Sequence, residues 1–188
     1  MSEFVARSAE FSGGFAVAGP VDQVFELFSP LGEKLWVPQW NPELLHPPGV
    51  SWERGLIFRT QEEKGEAIWV VTALEREAHE VEYHRVESGR YVARVTVACK
   101  AETEGQTQVG ATYVFVGLSP EGNVDIAIMT RESYVEKMKR WERWISESFA
   151  RNRTVGTVAG VGQRHGLGLG ARGTPRGVPS QPPVGRKQ

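Results

Sequence analysis

Between Ser51 and Leu118 apolar residues recur with a period of two, and after Gly122 the period becomes that of a helix. Few architectures accept a long run of short strands followed by one amphipathic helix. The strand candidates are Ser51–Glu53, Leu56–Gln61, Ala67–Leu74, Glu80–Val86, Tyr91–Ala101 and Thr107–Leu118. Turn signals separate them at Arg54–Gly55, Lys64–Gly65, Ser88–Gly89 and Glu104–Gly105. Hairpin-length loops require antiparallel neighbours. The clearest alternation sets Tyr91, Ala93, Val95, Val97, Cys99 and Ala101 against Arg90, Arg94, Thr96, Lys100 and Glu102. Successive strand side chains point to opposite faces, so the first set is expected inward.

After Gly122, Val124, Ile128, Tyr134, Val135, Met138, Trp141, Ile145 and Phe149 follow helical spacing, with Lys137, Arg140, Glu142, Arg143 and Glu147 assigned largely to the other side. Thr130 and a Ser133–Glu136 capping-box pattern allow a break or a later start. The aromatic stripe needs a large apolar partner, which a sheet with one covered face supplies. Upstream, Glu10–Ala18 reads as a further strand, bringing the count to seven, with Gly13–Gly14 marking a bulge or a close approach. Pro20–Phe28 reads as a short helix. Prolines at positions 38 and 42 break Gly32–Leu45 into an irregular cap rich in Leu35, Trp36, Trp40, Leu44 and Leu45. The expected fold is α+β, a seven-stranded antiparallel sheet curved around a long C-terminal helix.

Charge divides the chain. Its net charge of −1 conceals 15 basic and 23 acidic residues before position 151, and seven basic and no acidic residues from Arg151 onward. All 18 aromatic residues also precede Arg151, whereas the last 38 residues hold nine glycines and four prolines. Such a segment cannot offset its chain entropy by apolar burial. The expected organisation is therefore a ligand-binding domain over residues 1–150 and a disordered basic tail over 151–188. The acidic domain is unsuited to nucleic acid, and only the tail offers a weak anionic partner a contact. No stretch approaches membrane-span length, and the N-terminus lacks the apolar core of a secretory signal, so a cytoplasmic protein without a transmembrane segment is expected.

Three segments, VDQVFELFSPLGEKLWVPQWNPELLHPPG (Val21–Gly49), IWVVTALEREAHEVEYHRV (Ile68–Val86) and GQTQVGATYVFVGLSPEGN (Gly105–Asn123), fall within this element order. Together they resemble a bacterial branch of the START/polyketide-cyclase (SRPBCC) superfamily over residues 10–150. The resemblance implies a helix-grip fold, with two short helices after the first strand and a cavity between sheet and long helix for a small hydrophobic or amphipathic ligand. Candidate ligand-binding residues are then Phe58, Trp69, Tyr83, Arg85 and Tyr113 from strands, Trp36 and Trp40 from the cap, and Met138 and Trp141 from the helix. The superfamily also contains cyclase/aromatase enzymes and co-chaperone-like interaction domains, so fold alone does not select the function.

Each candidate has a structural reading beside the functional one. Trp36 and Trp40 either rim the pocket or staple the cap to the sheet, and Met138 and Trp141 at i,i+3 suit an ordinary core. In EVEYHRV, Val81, Tyr83 and Arg85 share the inward parity. A buried guanidinium must meet an acid, a phenol or a ligand carboxylate, unless it snorkels to the sheet rim. Tyr83 and Tyr113 add hydroxyls able to orient a ligand's polar end, or an enolate in an enzyme.

No metal-ligand spacing emerges from His46, His79, His84 and His165, and no cofactor motif is present. Cys99 reads as a small buried hydrophobe. Glu62, Glu63 and Glu66 read as a charged hairpin turn. No residue is singled out as catalytic.

Overall fold

In the computed structural model, residues 3–63 and 65–159 are described, with side chains as far as Arg151. The strands are β1 (Ser8–Ala18), β2 (Glu43–His46), β3 (Ile57–Glu62), β4 (Gly65–Glu75), β5 (Glu80–Glu87), β6 (Tyr91–Thr103) and β7 (Gln106–Gly117). They form one antiparallel sheet in the order β1-β7-β6-β5-β4-β3-β2. Between the two edge strands β1 and β2 the chain passes through α1 (Val21–Glu26) and a 3₁₀ turn (Gly32–Leu35). After β7 come α2 (Pro120–Ala127) and α3 (Arg131–Ala159).

The period-two reading holds through β3 to β7. Tyr91, Ala93, Val95, Val97 and Cys99 are buried, although Ala101 is exposed where β6 extends beyond the helix-covered face. The strand expected at Ser51–Glu53 does not form. Ser51 and Trp52 form a bend before the Arg54–Gly55 turn, and the seventh strand is Glu43–His46, paired with β3. Trp52 accounts for the apolar signal there. Its ring packs 4.9 Å from Phe25 and its Nε1 donates to the Tyr83 hydroxyl at 2.8 Å.

Gly13 and Gly14 mark a close approach rather than a bulge, since β1 and β7 pair in unbroken register from Ser8↔Val116 to Ala18↔Gln106. A Cβ on Gly13 would lie 3.1 Å from Tyr134 Cε1 and 3.3 Å from Met138 Cγ. The missing side chain lets α3 settle against the β1 edge, where the Tyr134 hydroxyl donates to the Ala111 carbonyl at 2.7 Å.

The C-terminal helical pattern is two helices. Ser119 caps α2 by accepting from the Gly122 amide at 3.0 Å, with Pro120 at the first helical position. Thr130 and Ser133 then cap α3 reciprocally. The Thr130 hydroxyl accepts from the Ser133 amide at 3.1 Å, and the Ser133 hydroxyl accepts from the Thr130 amide at 3.2 Å. The box therefore sits one turn earlier than the Ser133–Glu136 pattern suggests. Helix α3 also continues to Ala159, past the domain end expected at Ala150. The remainder of the basic tail lies outside the described residues. Among the described residues no helix is long and apolar enough to cross a membrane.

A cavity between sheet and helix with two polar clusters

The sheet and α3 do not close on each other completely. Between them, and under the cap that follows α1, lies a cavity of about 460 Å³. Its sheet side carries Phe58 and Trp69 on the paired strands β3 and β4, Tyr83 and Arg85 on β5, Tyr91, Val95 and Val97 on β6, and Tyr113 and Phe115 on β7. Helix α3 supplies Tyr134, Lys137 and Trp141, and the cap supplies Glu33, Val37 and Trp40. Phe58 and Trp69 lie stacked at 5.6 Å with their planes 6° apart, and Trp40 meets both edge-on, so part of the wall is flat and aromatic.

Seven of the nine residues proposed from sequence line this cavity: Trp40, Phe58, Trp69, Tyr83, Arg85, Tyr113 and Trp141. Trp36 and Met138 do not. Trp36 is buried behind the wall, donating from Nε1 to the Leu27 carbonyl at 2.8 Å and packing on Phe28 and Trp141, so it fastens the cap. Met138 is core beneath Gly13.

One polar cluster is built on Arg85. Its Nη1 donates to the Tyr91 hydroxyl at 2.7 Å, and its Nη2 lies 2.5 Å from Glu87 and 3.4 Å from Glu62. Tyr91 in turn donates to Glu87 at 2.5 Å. The guanidinium also lies over the Trp69 and Tyr91 rings, at 5.3 and 5.5 Å. Burial alone would weaken the charge, but Tyr91, Glu87 and Glu62 together override it and hold Arg85 more firmly protonated than a free arginine. Of the two readings that its parity left open, Arg85 follows the inward one, meeting acids and a phenol inside the fold and not snorkelling to the rim. Behind the cluster, Arg90 pairs with Asp125 and ties it to α2.

Glu62 is not merely part of a charged turn. It accepts from Thr60 at 2.7 Å while Thr60 accepts from Trp69 Nε1 at 3.0 Å, forming a relay from the aromatic wall to Arg85. Its shared parity with Phe58 and Thr60 was the available signal. Glu66, by contrast, faces outward to Arg59 at 3.1 Å.

The second cluster comprises Glu33, Lys137 and Tyr113. Lys137 was assigned to the solvent side of the helix, as was Arg140, and both line the cavity. The spacing that places Lys137 here is legible in retrospect: it follows Tyr134 by three residues and precedes Trp141 by four. Its Nζ lies 3.5 Å from the Tyr113 ring centroid and 5.0 Å from that of Trp141. Burial, with Arg85 nearby, pulls the ammonium down to about 7 despite the opposing pull of Glu33. Burial pushes the Glu33 carboxyl up to about 8, with Lys137 opposing. Both groups line the cavity and are half-buried. No local sequence signal marked Glu33, whose direction is set by Trp36 anchoring the turn that carries it.

Tyr83 and Tyr113 look alike in sequence and differ in place. The Tyr83 hydroxyl donates to the Phe28 carbonyl and accepts from Trp52 Nε1, both at 2.8 Å, which commits it to the core. It is therefore not the free ligand-orienting group expected. The Tyr113 hydroxyl has no such pair of partners among the described residues, and burial, with Glu33 nearby, pushes its pKa well above the usual phenol range. Burial likewise pushes the Cys99 thiol up to about 12, as for a core residue. No group of three or more His, Cys, Asp and Glu side chains suited to a metal ion occurs among the described residues.

No protein-family model and no curated protein sequence matches the chain. Solved structures do. Norcoclaurine synthase from Thalictrum flavum, in complex with dopamine and hydroxybenzaldehyde, superposes with a TM-score of 0.55 at 12% identity over 76% of this chain and 88% of its own. A protein from Rhizobium leguminosarum gives 0.57 at 16% identity over 78% and 97%. Major latex-like protein 151 from Panax ginseng gives 0.56 at 14% identity over 74% and 96%. At these identities the likeness is one of backbone architecture, and the architecture is the helix-grip fold.

Proposed function

We propose that this chain binds a small amphipathic molecule with a flat apolar body in the cavity between the sheet and α3. The observation that carries the reading is the open volume of about 460 Å³ itself, walled mainly by aromatic and aliphatic side chains, with the two polar clusters and Thr130, Ser133 and Arg140 as its polar groups. Pockets of a few hundred cubic ångströms with sparse polar groups are typical of small-molecule sites. Trp40, Phe58, Trp69 and Trp141 suit the apolar body, and Lys137 and Glu33 suit its polar end. That a protein of the same fold holds dopamine and hydroxybenzaldehyde, both small aromatic amphiphiles, supports the choice of class.

The enzyme reading in which Tyr83, Arg85 and Tyr113 stabilise an enolate loses support, because Tyr83 is committed to Trp52 and Phe28 and Arg85 to three partners. A co-chaperone-like surface needs no cavity and draws nothing from this one. Native mass spectrometry of freshly purified protein, with binding of anilinonaphthalene sulfonate by fluorescence, tests the binding reading. A retained small molecule or saturable dye binding is expected, and Val95→Trp, which places an indole in the cavity, should reduce either at least tenfold while the protein stays folded. Folded wild-type protein that neither retains a molecule nor binds the dye would sink the reading.

A further inference from the structure

We infer that Lys137 is a carbonyl-capturing amine, its Nζ forming a reversible imine with a small aromatic aldehyde held in the cavity. The inference rests on the binding reading and adds a covalent step to it. Three observations place the chemistry at this lysine. First, Nζ lies inside the cavity, over the faces of Tyr113 and Trp141, where an aldehyde with a flat apolar body would also lie. Second, among the described residues no carboxylate oxygen lies within ion-pair distance of it, unlike Lys139, which Glu136 holds at 2.8 Å. Third, the charged groups around it favour the free amine. Arg85 from β5 and Arg140 from α3 oppose its proton, while Glu33 from the 3₁₀ turn and Glu62 from β3 only partly offset them. A neutral amine is the nucleophilic form, and a desolvated lysine beside other cations is a recurrent way to obtain it.

Glu33 supplies the other half of the step. Pushed up to about 8, its carboxyl is an acid at neutral pH. The Nζ lone pair forms a C–N bond to the carbonyl carbon, and a proton moves from nitrogen to oxygen to give a carbinolamine. The nitrogen lone pair then forms C=N as the C–O bond breaks, and the oxygen leaves as water with the proton from Glu33. The products are a protonated imine on Lys137, a carboxylate on Glu33 and one water, so atoms and charge balance without an oxidant or reductant. The new cation and anion both lie on the wall of the cavity.

The test incubates the full chain with benzaldehyde and sodium cyanoborohydride at neutral pH and locates reduced adducts by intact mass and peptide mapping. One benzyl group is expected on Lys137, forming at least ~10-fold faster than on exposed Lys34, Lys100 or Lys139. The rate should climb as pH passes about 7, whereas an ordinary lysine climbs near ~10. Lys137→Arg should abolish the adduct while the variant stays folded by circular dichroism; Lys137→Met serves the same purpose should the arginine variant misfold. Adducts spread over the surface lysines, or persisting in the folded variant, overturn the imine while dye binding leaves the pocket reading standing. Wild-type protein showing neither dye binding nor adduct overturns both.

Discussion

Tyr83 and Tyr113 face the same cavity from strands two places apart in the sheet, yet only Tyr83 has its hydroxyl held from both sides, by Trp52 Nε1 and the Phe28 carbonyl at 2.8 Å each. Removing that hydroxyl leaves a buried donor and acceptor unmatched. Tyr83→Phe should therefore cost about 1–3 kcal/mol in chemical denaturation. Tyr113→Phe keeps the ring under Lys137 and removes a hydroxyl without such partners, so its cost should stay below about 1 kcal/mol.

Gly13 is the point of closest approach between β1 and α3. Gly13→Ala inserts a methyl 3.1 Å from Tyr134 and 3.3 Å from Met138. Overpacking of this kind costs about 1–3 kcal/mol. The measurement is the urea midpoint, and an unchanged midpoint would show that α3 yields freely.

Arg85 neutralises Glu87 within the fold, both side chains being almost wholly buried at 12% and 10% exposure. Arg85→Met leaves Glu87 with only the longer 3.9 Å ion contact to Arg90 among the described residues and should destabilise by about 3–5 kcal/mol. The double variant Arg85→Met/Glu87→Gln should recover a large part of that loss, because the more buried of the two carboxylates that faced Arg85 is neutralised with it. A double-mutant cycle reads the coupling directly.

The Glu33 and Lys137 shifts give opposite pH dependences. Glu33 binds its proton more tightly folded than unfolded, so its contribution is complete below about 4.5 and is lost as pH rises through about 8. Lys137 binds its proton less tightly when folded, so its contribution is complete above about 10.5 and is lost as pH falls through about 7. Glu33→Gln should flatten the stability loss across the first window. Lys137→Met should stabilise more at pH values below about 7 than above about 10.5, and thermal melts across pH resolve the two.

Where the chain alternates strictly, the residues predicted the structure. The inward set from Tyr91 to Cys99, the shared parity of Val81, Tyr83 and Arg85, and the burial of Tyr134, Met138 and Ile145 follow from backbone periodicity, which does not depend on distant contacts, whereas Val124, Ile128 and Val135 of the expected stripe are exposed. Strand β2 escaped because Glu43–His46 is four residues of edge strand with no alternating burial, existing only through its hydrogen bonds to β3. Ser51–Glu53 misled for the converse reason, since Trp52 is buried by Phe25 and Tyr83 without being in a strand.

The sequence by itself therefore determined the layers: an antiparallel sheet, six of whose seven strands it placed, a helix to cover it, and an aromatic interior. Only the tertiary structure decided which polar groups share that interior. Glu33 and Lys137 stand 104 positions apart, and Glu62 and Arg85 are 23 apart. Periodicity states which way a side chain points from its own element, but the electrostatics of a cavity depend on which elements meet across it. That meeting is fixed by Gly13 admitting α3 to the sheet and by Trp36 anchoring the turn that carries Glu33.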